Sequence, residues 1–228
     1  MPSSYPPCLL LLVKYPLEGY VKTRLAQNLD PYLVSELYKV LVEDILVSIK
    51  ETQLPLRIYY SPNHMLPHFL KWLGTEHVFL PQKGKHLGDR LKHGIQSAFN
   101  SGFTSVIALA SDVPDLAPHL LCAAAKALEN SDIVIGPCHD GGYYLIGFTQ
   151  TSYHPRYLTN IPWSTSDVFT QTLNIAEQAE ANITILPQKR DIDTLHDLHV
   201  FIQGNVNTRF RSSKTVSFIH QHLQSLFA

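Results

Sequence analysis

The chain has no surplus of charge of either sign: 18 Lys and Arg stand against 19 Asp and Glu, a formal net charge of -1 over 228 residues. Nucleic acid and anionic membranes are bound through a surplus of cations, so neither is expected as a partner. Charged residues make up only 16% of the chain, and any phosphate binding must come from a local cluster. Cysteine is scarce. Cys8, Cys122 and Cys138 are an odd set without CxxC spacing, which reads as buried, reduced thiols in a cytoplasmic protein rather than a disulfide or a catalytic thiol. The apolar run Cys8–Val13 is too short to span a membrane and lacks the basic flank and cleavage site of a signal peptide. Zinc signatures are absent: there is no HExxH, and His64, His68, His77, His86 and His93 have no matching Cys ligands. His220 and His222 are two apart and do not share a helical face. The P-loop pattern GxxxxGK[ST] is missing too. With no repeat, low-complexity linker or composition break, the economical reading is one domain over 1–228. Its core would span about 8–202, with an amphipathic helical extension over 203–228.

What is present is an alternation of strand and helix patterns. With 45% hydrophobic residues, the chain can bury a full core. Leu9–Val13, Leu56–Tyr60, Val78–Leu80, Val106–Leu109, Asp132–Gly136, Tyr143–Phe148 and Ile183–Leu186 read as strands. Pro31 opens a long helix with Leu33, Leu37, Val40, Leu41, Ile45 and Ile49 on one face. Further helices are predicted over His64–Leu73, Leu87–Phe99, Pro118–Leu128, Ser166–Ala179, Thr194–Ile202 and Val216–Leu226. Thr194 would cap its helix with Asp197 three residues on. The last helix would pack back on the domain through its apolar stripe. This order predicts an α/β fold with a mainly parallel central sheet, flanked by helices and joined by right-handed crossovers.

Chemistry gathers where strands end, which is where open α/β sheets bind ligands. Lys14, Lys22, Thr23 and Arg24 lie in the loop after the first strand and suit a polyphosphate, Lys as a point charge and Arg as a fork. Charge alone would read this as a solvated basic loop; its position favours phosphate. Ser111 and Asp112 follow Val106–Leu109 directly, and Asp112 is placed to hold a divalent cation. Asp115, three residues later, is a second ligand or the cap of the helix near Pro118. Asp140-Gly141-Gly142 is a hairpin turn whose glycines also allow close backbone approach to a ligand. Asp140 is a candidate general base by position only. Asp191 and Asp193 alternate onto one side of an extended segment, where with Asp112 they would complete an oxygen-ligand site for Mg²⁺ or Mn²⁺. Arg90 would reach a phosphate or form a surface pair. Ser166 is read as a helix cap, and Trp163 as core or as a stacking surface.

The order of these motifs carries a resemblance. Lys14-Tyr15-Pro16, Val21-Lys22-Thr23-Arg24-Leu25-Ala26, Leu87-Gly88-Asp89-Arg90, Ser111-Asp112-Val113-Pro114-Asp115-Leu116, Asp140-Gly141-Gly142-Tyr143-Tyr144, Ile161-Pro162-Trp163-Ser164-Thr165 and Asp191-Ile192-Asp193-Thr194 occur in that sequence. Over about residues 8–202 the chain resembles the GT-A-like family called radical-SAM/selenodomain-associated transferase 1. The resemblance implies a nucleotide-diphospho-sugar transferase fold. It also implies Asp112 as ligand of a metal bridging nucleotide phosphates, with Asp191 or Asp193 as a second ligand. The loop Lys22-Thr23-Arg24-Leu25-Ala26 is also similar to the phosphate loop of phospholactate guanylyltransferases, which implies nucleotidyl transfer as the alternative to glycosyl transfer. Two departures stand out: the Gly-Gly-x-x-x-Arg loop of many nucleotidyltransferases is replaced by Lys14, Tyr15 and Pro16, and the strict Asp-x-Asp of many glycosyltransferases by Asp112 and Asp115. The expectation is thus a metal-dependent transferase acting on a nucleotide or nucleotide-sugar and a small-molecule acceptor. The alternative from another class is a non-catalytic nucleotide-binding protein. The sequence leaves room for a homo-oligomer.

Overall fold

Strand β1, Cys8–Lys14, shows why the sheet lies at the centre of the molecule. It is apolar from Cys8 to Val13 and buried on both faces: Leu9, Leu11 and Val13 enter one core, Cys8 and Leu10 the other. Such a two-sided strand must be covered by helices above and below. The computed structural model, which describes residues 6–223, has that arrangement.

Six more strands complete the sheet: β2 Leu56–Ser61, β3 Val78–Pro81, β4 Ser105–Leu109, β5 Ile133–Pro137, β6 Tyr143–Thr149 and β7 Ile183–Ile185. The order across it is β3-β2-β1-β4-β6-β5-β7. Among the described residues β6 alone runs antiparallel, against both β4 and β5, while the other pairings are parallel. The mainly parallel sheet expected from the sequence is therefore found, with one reversed strand inside it. Chain order changes direction at β1, flanked by β2 and β4. The carboxyl ends of β1 and β4 open a crevice there, the switch point at which such sheets take ligands.

Helices α1 Pro31–Thr52, α2 Leu66–Leu73, α4 Pro118–Ala127, α6 Leu195–Asn205 and α7 Lys214–His222 contribute to one core, and α3 Leu87–Asn100 and α5 Val168–Glu177 to the other. Asp30 caps α1 by accepting from Tyr32 N and Leu33 N, and Pro31 sits in its first turn, as its fixed φ allows. Thr194 and Asp197 form the expected capping box on α6. The C-terminal amphipathic segment packs back on the domain: α7 lies against α1, and buried Asp44 of α1 accepts from Lys214 N at 3.0 Å and Thr215 N at 2.8 Å. The predicted end of that helix at Leu226 falls outside the described residues.

Three local expectations are corrected. Ser166 does not cap α5, which starts at Val168 after Asp167 with no side-chain cap; Phe169 N, in its first turn, donates to the Gly141 carbonyl instead, at 2.8 Å. Asp115 does not cap α4, where Ala117 holds the N-cap position and the Asp115 carboxylate is engaged by Lys189. The segment from His64 opens as a 3-10 turn, Asn63–Met65, before α2. Cys8 and Cys138 are buried, but Cys122 on α4 is exposed, so burial holds for two of the three thiols. No helix among the described residues is long and apolar enough to cross a membrane.

Candidate functional site

A cleft of about 1100 Å³ opens along the carboxyl ends of β1 and β4. The loop after β1 supplies its basic wall. Lys14 ends the strand, and its backbone N–H donates to Tyr38 Oη at 3.2 Å, itself hydrogen-bonded to Ser111 Oγ at 2.8 Å. One phenol thereby ties α1 to the ends of both β1 and β4, which are already paired as neighbouring strands. Tyr38 is buried on the core side of its helix, and the sequence pattern did not single it out.

At the floor of the cleft, three carboxylates converge. Oxygen atoms of Asp112, Asp191 and Asp193 lie within 4.8 Å of one another. Asp112 follows β4. Asp191 and Asp193 follow β7 and are stitched to Asp112 by the backbone, Ile192 N donating to the Asp112 carbonyl at 3.0 Å. Between the carboxylates sits Lys22, only 6% exposed, its Nζ 2.9 Å from Asp112 Oδ2 and 2.6 Å from Asp193 Oδ1. Burial alone would lower the Lys22 pKa; the two carboxylates outweigh it and hold the ammonium charged beyond the ordinary lysine range. Arg24, largely exposed, reaches Asp193 Oδ2 at 3.4 Å. Among the described residues no ion pair is made by Asp191. Burial, then the charges of Asp112, Asp140 and Asp193, push its carboxyl up to about 7 against the pull of Lys22.

Three oxygen donors at this spacing suit a hard divalent cation such as Mg²⁺ or Mn²⁺, and the buried ammonium already marks the point where positive charge is favoured. Asp140 lies at the rim. Its Oδ1 accepts from Gly142 N at 2.8 Å, an Asx turn at the β5–β6 hairpin. Asp140 also forms a second cluster with Cys138 and Asp191, so the acidic groups of the cleft are continuous. Among the described residues no histidine joins a metal-spaced cluster.

The structure brings Lys14, Lys22, Thr23, Arg24, Arg90, Ser111, Asp112, Asp140, Gly142, Asp191 and Asp193 to the walls of one cleft. Gly141 does not line it; it shapes it. Its φ is +89°, and a Cβ there would lie 2.1 Å from the Ser166 carbonyl oxygen, so only glycine lets the hairpin pack against the Ser164–Ser166 wall. Arg90 is tied inward, with Nε to the Gly84 carbonyl at 3.2 Å and Nη1 to Gln82 Oε1 at 3.1 Å. Asp115 stands outside the carboxylate cluster, in an ion pair with Lys189 at 2.8 Å. Trp163 packs partly buried against the second core, edge-on to Tyr143, and also lines the cleft. Gly88, whose Cβ would come 2.7 Å from Trp163 Nε1, lets the indole rest on the first turn of α3. Sequence reasoning missed Gln82, which donates to the Val13 and Tyr59 carbonyls and lines the cleft. Its position just past β3 was the available signal.

Comparison with known proteins places this arrangement. A family model described as an uncharacterized protein conserved in bacteria (DUF2064) matches residues 45–165. No curated protein matches the chain. A solved structure from Desulfovibrio desulfuricans G20, provisionally named a nucleotide-diphospho-sugar transferase, is 38% identical, with a TM-score of 0.92, covering 96% of this chain and 95% of that one. A nucleotidyl transferase from Methanothermobacter is 14% identical, with a TM-score of 0.58, over 87% of this chain and 97% of that one. Rv0371c from Mycobacterium tuberculosis H37Rv, solved as a complex with manganese, is 13% identical, with a TM-score of 0.50, over 86% of this chain and 98% of that one. The two distant likenesses are likenesses of fold.

Proposed function

This chain belongs to the DUF2064 family, and from that premise we propose that it is a divalent-metal-dependent transferase that uses a nucleotide-sugar or a nucleoside triphosphate. The observation that carries the reading is the convergence of Asp112, Asp191 and Asp193 at the switch point of the sheet, beside a basic loop. The 38% identical relative bears a nucleotide-diphospho-sugar transferase name over nearly its full length, which supports glycosyl transfer as the first reading.

Asp112, Asp191 and Asp193 would hold Mg²⁺ or Mn²⁺. When bound, such an ion neutralises charge on a departing diphosphate. The chain's own groups divide the remaining work. Lys14 and Arg24 present positive charge to phosphate oxygens, where charge grows as the bond to the leaving group breaks. Ser111 offers a hydroxyl held in place by Tyr38. Asp140 has one oxygen committed to Gly142 N and the other available to accept a proton from an acceptor hydroxyl. Trp163 provides an apolar surface for a base or sugar ring. One domain serves all these roles, and the three free cysteines support a cytoplasmic location.

Nucleotidyl transfer is the second reading, favoured by the Lys22-Thr23-Arg24 loop and by the fold shared with a nucleotidyl transferase. The products separate the two. With a panel of nucleotide-sugars, NTPs and acceptors in Mn²⁺, a released nucleoside diphosphate marks glycosyl transfer and released pyrophosphate marks nucleotidyl transfer. A nucleotide that binds and is never consumed marks a binding protein. Asp112→Ala should abolish metal-dependent nucleotide binding in calorimetry; unchanged binding would sink the proposal.

A further inference from the structure

Lys22 has the composition of a phosphate ligand but not the geometry of one. Its amine is turned away from solvent, and two of its three N–H donors are occupied by Asp112 and Asp193. Those are two of the three carboxylates grouped at metal-ligand spacing. A divalent ion held there would draw on the same oxygens and repel the ammonium beside them. The amine and the ion cannot both keep these partners.

The backbone at Lys22 is itself unusual. Its φ is +46°, in the left-handed region that non-glycine residues rarely occupy. Backbone held in such a region is characteristic of switch and ligand-clamping segments. Tyr20, two residues earlier, is 74% exposed. Val21, between them, is buried, and the Lys22 carbonyl accepts from Ala26 N at 3.1 Å, so the backbone is anchored on its core side and the Lys22 side chain is the part that can change partner.

We propose that Lys22 is a tethered cation. In the metal-free protein its amine holds Asp112 and Asp193 together and cancels their repulsion. When Asp112, Asp191 and Asp193 bind a divalent ion, the amine is expelled and becomes the donor to the polyphosphate that the ion accompanies. Metal and polyphosphate binding are then coupled through one side chain, because the polyphosphate gives the expelled charge a new partner. This rests on the metal-dependent reading above.

The test follows the Lys22 amine directly in the full chain. Amine acetylation read by peptide mass spectrometry should find Lys22 protected without metal, relative to exposed Lys126. Mn²⁺ alone should raise Lys22 labelling several-fold, and a nucleoside diphosphate added with Mn²⁺ should protect it again. Lys22→Met and Lys22→Gln should bind Mn²⁺ alone about tenfold more tightly than wild type, as the loss of a competing ion pair implies; the free-ion EPR signal reports this without any assay of turnover. If Mn²⁺ binds wild type and is lost in Asp112→Asn, while Lys22 stays protected, the tethered-cation role is overturned and the metal site stands. If wild type binds no Mn²⁺ with or without nucleotide, both are overturned.

Discussion

Lys189 Nζ meets Asp115 twice, at 2.8 Å from Oδ2 and 3.1 Å from the carbonyl oxygen. The pair fastens the loop after β4 to the segment after β7. Those two segments carry Asp112 on one side and Asp191 and Asp193 on the other, so the spacing of the carboxylates is set partly by a contact outside them. Asp115→Ala should cost about 1 kcal/mol in urea denaturation, as loss of a partly buried charged hydrogen bond does. It should also weaken Mn²⁺ binding, but by less than Asp112→Asn does. Equal losses in the two variants would put Asp115 among the ligands.

Asp191 gives a stability that falls with pH. Its carboxyl is held up to about 7 in the folded chain, against about 3.9 in an unfolded one. Between those values the folded state keeps a proton that the unfolded state has released, so raising the pH favours unfolding. In EDTA, wild-type stability should decline from about pH 4 to pH 7, and Asp191→Asn should remove that part of the decline and exceed wild type at pH 8. Parallel urea profiles for the two proteins would refute this.

Gly141→Ala should be costly out of proportion to one methyl group. The φ of +89° is strained for any L side chain, and the added Cβ would meet the Ser166 carbonyl. A loss of roughly 1–3 kcal/mol is expected. The variant should also weaken nucleotide binding, because the Ser164–Ser166 wall must move. Unaltered affinity in calorimetry would separate that wall from the binding site.

Thr194→Ala removes the cap of α6 and should cost about 1 kcal/mol at neutral pH. The same change removes the hydroxyl donor to Asp197 Oδ2, the oxygen that also accepts from Asp193 N at 3.2 Å. Mn²⁺ affinity should therefore drop modestly alongside stability. A stability loss with no change in Mn²⁺ affinity would show that the cap does not position Asp193.

Features decided by neighbours in the chain were legible in the sequence. The apolar run of β1, Pro31 opening α1, the Thr194–Asp197 capping box and the turn at Asp140-Gly141-Gly142 each depend on residues a few positions apart. The candidate site was legible as a set of strand ends, because every strand of one direction delivers its last residues to one edge. What could not be read was which group each residue would face. Lys22 is 90 residues from Asp112 and 171 from Asp193, and its own neighbours give no sign that the amine will be buried between carboxylates. Asp115 was open to reading as a cap because Pro118 announces a helix start without naming the cap residue. Its true partner, Lys189, is 74 residues away. The insertion of β6 between β4 and β5 is likewise a property of pairing, not of the strand itself.

The grip of Asp44 on the first turn of α7 has a consequence in time. Its partners lie 170 and 171 residues downstream. At ordinary synthesis rates a ribosome needs roughly 10–30 s to traverse that stretch. For that interval α1 lacks one of its packing partners, and the Asp44 carboxylate has neither of these donors.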